Sequence, residues 1–274
     1  MIPKAYVTHW RKHAPWPEDA QVEQDLVLSR ALVELFQDSV VSEALAFRGG
    51  TALHKLGFDA PARYSEDLDF VQVSPGGIGR VFDAIRDRLG PWLGNARWKQ
   101  GEGLATLVFR FESTSLPVQR MRVKVEINTR EHFFVLAPRI VSYSVDSPWF
   151  AGTAEVRTFR TEELLGTKLR ALYQRRKGRD LFDLWRALSQ LAIDDGRVIE
   201  CFTRYMAHVG STVSRAEFEG NLHEKLANEV FVGDLRPLLV DPGDYAVRQA
   251  AELVRDRLLS KLPGEPWSPP EARP

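Results

Sequence analysis

The sequence predicts an α+β fold: a small mixed sheet flanked by helices in residues 1–160, then a helical C-terminal domain in residues 161–262. Three observations predict it. Period-two alternation of apolar and polar residues, at Leu104–Glu112 and Val118–Asn128, is confined to the first part. Apolar residues spaced by three and four dominate after Thr161. Prolines crowd residues 263–274, a tail expected to be extended or disordered.

Taken in order, Asp19 to Ala46 places Val22, Leu26, Leu32, Val33, Leu35, Phe36 and Leu45 mostly at helical steps, so one or two helices are expected before Gly49-Gly50. A short strand near Phe47 follows, then a helix opening at the glycines. Asp67 to Val73 reads as a strand, Ser74-Pro75-Gly76-Gly77 as a turn, and Ile78 to Leu89 as a helix. The two alternating strands are separated by Ser113–Pro117. After a poorly patterned stretch with Pro138 and Pro148 comes a strand near Val156–Phe159. Helices are expected over 161–177, 179–191, 197–208, 214–228 and 245–261, with Thr161 as the first cap and Glu162 and Glu163 favouring the first turn.

Composition excludes several functions. Thirty-seven basic residues balance 37 acidic ones, so no global field draws the chain to nucleic acid or membrane, and any RNA contact must be a local patch. A single cysteine, Cys201, excludes a disulfide framework, and the six histidines lack metal-ligand spacing. With neither a secretory start nor a membrane-length apolar run, the chain reads as cytoplasmic.

The chemistry concentrates in Arg63-Tyr64-Ser65-Glu66-Asp67-Leu68-Asp69-Phe70. Residues i and i+2 of a strand share a face, so Asp67 and Asp69 converge while Leu68 and Phe70 enter the core. Oxygen-only ligands suit Mg²⁺ or Mn²⁺, which complete their shells with water and phosphate oxygens. Upstream, Gly49 and Gly50 open a helix at Thr51, offering backbone N–H groups to a polyphosphate, and Ser65 adds a hydroxyl donor. These parts together suggest a nucleoside triphosphate (NTP) site. The best third metal ligand is Glu126, which shares a strand face with Lys124; the alternative is a Lys124–Glu126 pair on a solvated face. A second focus, Lys168 to Asp183, holds six basic residues and two acids. Lys168 there suits a β- or γ-phosphate, while Arg179, Asp180 and Asp183 occupy the first turn of a helix.

These segments, Phe47–Leu53, Arg63–Asp69, Lys124–Glu126 and Lys168 through Arg179-Asp180-Leu181-Phe182-Asp183, together resemble the AbiEii/AbiGii toxin family over roughly residues 30 to 190. That family belongs to the DNA polymerase β-like nucleotidyltransferases and includes the mycobacterial MenT toxins. The resemblance implies that residues 1–160 form the nucleotidyltransferase domain, with Asp67 and Asp69 as the catalytic metal pair. Gly50, Thr51 and Ser65 would contact phosphate. It further implies that Lys168 binds the nucleotide and that Asp180 or Asp183 supplies the second-site carboxylate. Its enzymes add nucleotides to the 3′ end of tRNA, blocking translation, and each is paired with a separately encoded antitoxin. The chain departs in having Thr51 where the wider superfamily has serine, and in a longer interval to Asp67. Other acceptors consistent with the residues are a small molecule, as in antibiotic nucleotidyltransferases, or a protein.

Overall fold

Strand β1 (Leu45–Arg48) is short and wholly apolar up to its last residue, and it lies deep in the first part of the chain. A computed structural model describes residues 2–235, 238, 239, 243 and 245–269. They form two units, Met1–Phe159 and Arg160–Pro274.

In the first unit, α1 (Lys4–Trp10), α2 (Asp19–Phe36) and α3 (Ser39–Ala44) precede β1; α4 (Gly49–Leu56), β2 (Asp67–Gln72) and α5 (Gly79–Leu93) follow it. Then come β3 (Arg97–Gly101), β4 (Leu104–Glu112), β5 (Arg120–Asn128), β6 (Arg139–Ser147) and β7 (Phe150–Thr158). Together the strands make one seven-stranded sheet of order β3-β4-β5-β2-β1-β7-β6. Its directions are mixed: β2 runs antiparallel to β1 but parallel to β5, which is itself antiparallel to β4.

Helix α2 is buried along most of its length, and its polar residues tie strands together. The Gln24 amide donates to the Arg122 and Glu66 carbonyls, at 2.6 and 3.5 Å, bridging the starts of β5 and β2. Glu23 accepts from the Thr114 backbone N–H in the β4–β5 connection. Phe47 and Phe70, 5.3 Å apart between ring centroids, form part of the core beneath the carboxylate strand. With Leu68 fully buried, Leu68→Ala would cost about 2–5 kcal/mol through the lost transfer energy and the cavity left behind.

Two strand features depart from the sequence reading. The stretch containing Pro138 and Pro148 is the regular hairpin β6–β7, paired from Arg139↔Thr158 to Ser147↔Phe150. Edge strand β3 is exposed throughout, so it has no inward face to generate alternation.

The second unit is helical: α6 (Thr161–Gln174), α7 (Gly178–Gln190), α8 (Asp195–His208), α9 (Arg215–Leu226), α10 (Glu229–Gly233) and α11 (Val247–Arg257). Thr161 is the first residue of α6 rather than its cap; Arg160 holds that place, and Glu162 and Glu163 favour the N-terminal dipole. Gly166 lets α6 and α8 approach closely, since a Cβ there would meet the Cys201 side chain at 2.6 Å. Burial pushes the Cys201 thiol up to about 12, leaving it unreactive. Buried Lys225 of α9 donates to the Leu172 and Tyr173 carbonyls, closing the C-terminus of α6. The Pro-rich tail is described as far as Pro269; the Trp267 N–H donates to Glu219 at 2.8 Å while its ring packs on His223. The remainder, residues 270–274, lies outside the described residues.

Candidate active site

The geometry at β2 follows from its alternation. Leu68 and Phe70 are buried, whereas Asp67 and Asp69 are half-exposed on the other face. Parallel pairing with β5 sets Asp67 opposite Lys124 and Asp69 opposite Glu126. Three acids and one lysine therefore share one patch of the sheet. On the other side of β2, Arg48 pairs with Asp69 in register, and its guanidinium binds Glu131 at 2.7 Å.

The two glycines begin α4, immediately after β1. Gly49 has φ +80°, a conformation that side chains with a Cβ rarely adopt, and a Cβ there would lie 2.2 Å from Asp69 Oδ2. The backbone thus comes against the carboxylate because nothing projects from Gly49. Thr51 is buried, and its hydroxyl donates to the Asp67 carbonyl at 2.6 Å. Ser65 Oγ lies 2.7 Å from Thr51 Oγ1. Because the Thr51 proton is committed to Asp67, the Ser65 hydroxyl is the donor between them. Thr51 accordingly braces the carboxylate strand, a role its sequence position did not disclose.

Electrostatics at the patch are unbalanced. Burial pushes the Asp67 carboxyl above the ordinary carboxylate range; Lys124 pulls it down and neighbouring Glu126 pushes it up. Asp67 Oδ1 is buried without a hydrogen-bond partner, and a buried carboxylate oxygen needs a cation or donor. Lys124 Nζ lies 2.7 Å from Glu126 Oε2 and 3.6 Å from Asp67 Oδ2. The Lys124–Glu126 pair weighed from the sequence is therefore made, on the same face as the aspartates. Among the described residues no group of three acids, histidines or cysteines is placed to hold a metal as it stands, with Glu126 turned to the lysine. The orphaned Asp67 oxygen and the cradle beside Gly49 nonetheless fit a hard divalent cation held by Asp67 and Asp69.

The remaining predicted residues lie in the second unit and form their own cluster. Lys168 Nζ, almost wholly buried, sits 3.2 Å from Asp180 Oδ1 and 2.8 Å from Asp183 Oδ2; both carboxylates are fully buried. Arg175 grips Asp180 with two bonds, 2.7 and 2.8 Å long. Burial raises the Asp180 carboxyl, but Lys168 and Arg175 outweigh it and hold the group below its ordinary value. Arg179 is half-buried at the start of α7, and Arg176 and Lys177 are exposed.

The seven-stranded mixed sheet with flanking helices and a helical second unit is the fold of a nucleotidyltransferase. MenT4, a nucleotidyltransferase toxin from Mycobacterium tuberculosis H37Rv, shares it with a TM-score of 0.65 and 20% identity, over 96% of this chain and 91% of that one. JHP933 from Helicobacter pylori matches 88% of this chain and 90% of its own at 16% identity, with a TM-score of 0.58. No curated protein matches the chain. Residues 30–253 match the model of the nucleotidyl transferase AbiEii toxin family of type IV toxin–antitoxin systems, and the chain belongs to that family. Membership makes it a nucleotidyltransferase and implies an NTP substrate, a divalent metal and an antitoxin partner. No helix among the described residues is long and apolar enough to cross a membrane.

Proposed function

We propose that this chain is a Mg²⁺-dependent cytoplasmic toxin that transfers NMP from an NTP to the 3′-hydroxyl of a tRNA acceptor end, blocking translation until a separately encoded antitoxin restrains it. The observation that carries this reading is the pair Asp67 and Asp69 on one face of β2, beside Glu126 and against the positive-φ Gly49. Asp67, Asp69 and Glu126 would hold the cation, which when bound lowers the barrier by polarising the attacking oxygen and the departing pyrophosphate. Gly49 and Gly50 begin α4, where free backbone N–H groups favour a polyphosphate, and the Ser65 hydroxyl can turn to donate to it. In the second unit, Asp180 and Asp183 fix the Lys168 amine, and Arg179 at the start of α7 adds a further cation, the groups that the family resemblance makes nucleotide-binding.

A cavity of about 800 Å³ in the first unit is lined by Tyr64 and Glu66, just before β2. Arg110, Arg120 and Arg122 line it beside Phe111. Guanidiniums interleaved with aromatic rings suit phosphates and stacked bases of a single strand. They also argue against a cationic small-molecule acceptor, because three arginines offset Glu18, Glu66 and Glu112 of the same wall.

The test is incubation of the purified chain with each of the four α-labelled NTPs and total tRNA. Label should appear at RNA 3′ ends with one or more nucleotides and vanish with Asp69→Ala. Label on polypeptide would select the protein acceptor, and label on neither RNA nor protein would refute the reading.

A further inference from the structure

The carboxylate patch contains a cation of its own. Alternation along β5 puts Lys124 on the same face as Glu126, and parallel register puts it opposite Asp67, so its ammonium spans acids from two strands. A charge of this kind is needed when no metal is bound: clustered carboxylates repel one another, and Asp67 already has one buried oxygen without a hydrogen bond. The same ammonium draws Glu126 out of a ligand arrangement. A divalent cation entering between these acids must break the 2.7 Å pair and find Lys124 another anion. Mg²⁺ and Mn²⁺ bind two or three carboxylates weakly and complete their shells with substrate phosphates, and a triphosphate supplies both those oxygens and a new partner for the lysine.

We propose that Lys124 is an intramolecular counter-ion that stands in the place of the divalent cation, yields it when the nucleotide arrives, and thereby makes metal loading depend on the nucleoside triphosphate. This rests on reading Asp67, Asp69 and Glu126 as the metal-binding acids. It assigns Lys124 a positioning role rather than a direct part in the transfer.

The experiment is Mn²⁺ titration of the full chain, followed by electron paramagnetic resonance of free Mn²⁺, with and without a non-hydrolysable NTP analogue whose own chelation is measured separately. Lys124→Met removes the charge, Lys124→Gln is the polar second variant should the first fail to fold, and Asp69→Asn marks the site. Lys124→Met or Lys124→Gln should bind Mn²⁺ roughly two- to fivefold more tightly without nucleotide, the scale of one competing ion pair. The analogue should tighten binding in all three proteins through its phosphate oxygens, and by roughly that same factor more in the wild type than in either variant. Lys124→Arg should behave as the wild type. Unchanged or weaker Mn²⁺ affinity in the variants, with binding still abolished by Asp69→Asn, would overturn the counter-ion role and leave the metal site standing. No Mn²⁺ binding by any of these proteins would overturn both.

Discussion

Gly49→Ala tests the closest contact in the candidate site. The residue has φ +80°, and an added Cβ would stand 2.2 Å from Asp69 Oδ2 and 2.9 Å from both Asp69 Cβ and Cγ. Two costs follow. A left-handed backbone costs a residue with a Cβ about 1–2 kcal/mol, and forcing Asp69 from its rotamer adds about 0.5–1.5 kcal/mol. A total of about 1.5–3.5 kcal/mol, at about 2–4 °C per kcal/mol for a domain of this size, lowers the melting temperature by roughly 3–14 °C. Calorimetry on Gly49→Ala measures this, with Gly79→Ala as control, because nothing lies within 4 Å of a Cβ at Gly79 and its φ is ordinary. The displaced Asp69 should also cost Mn²⁺ affinity in protein that remains folded. A Gly49→Ala variant that melts with the wild type and binds Mn²⁺ as tightly would refute the close approach of backbone to carboxylate.

Lys168→Met removes the ammonium that Asp180 and Asp183 share, so it should cost about 3–5 kcal/mol in urea unfolding; a loss below 1 kcal/mol would show that the cluster is not a buried ion network. The lowered Asp180 carboxyl contributes stability that is present above its ordinary value of 3.8 and lost as pH falls through its native value. Acid unfolding monitored by circular dichroism should therefore show a loss below about pH 4 that Asp180→Asn removes. Asp67 has the opposite sign: its raised carboxyl penalises the fold at neutral pH, so Asp67→Asn should abolish transfer yet melt at or above the wild-type temperature without metal, the gain vanishing below about pH 4. Replacing Arg110, Arg120 and Arg122 with Gln should weaken RNA binding and reduce the slope of log affinity against log salt by about 0.7 per lost phosphate contact, measured by fluorescence anisotropy.

The carboxylate pair was legible because strand alternation alone converges Asp67 and Asp69, and flanking Leu68 and Phe70 announce the strand. The helix after the glycines and the helical second unit were legible for the same periodic reason. Other features depend on information that short-range pattern does not carry. Strand β3 is exposed on both faces and so shows no alternation. Ala151, Gly152, Thr153 and Ala154 are too small to give β7 a strong apolar signal before Val156, although the strand is paired along its whole length. Sequence placed Lys124 and Glu126 on a common face but left open whether Glu126 faced metal or lysine. The answer needed the register of β5 against β2, strands joined through more than forty residues of other structure. Thr51's bond to the Asp67 carbonyl is hidden for the same reason, because a hydroxyl's partner is set by tertiary packing.

The most direct measurement is the anomalous scattering of Mn²⁺ in crystals grown with a non-hydrolysable NTP. The expected result is a peak between the Asp67 and Asp69 carboxylates, with a phosphate oxygen beside it and Lys124 swung away from Glu126. Manganese bound elsewhere, with both aspartates facing only water, would contradict it.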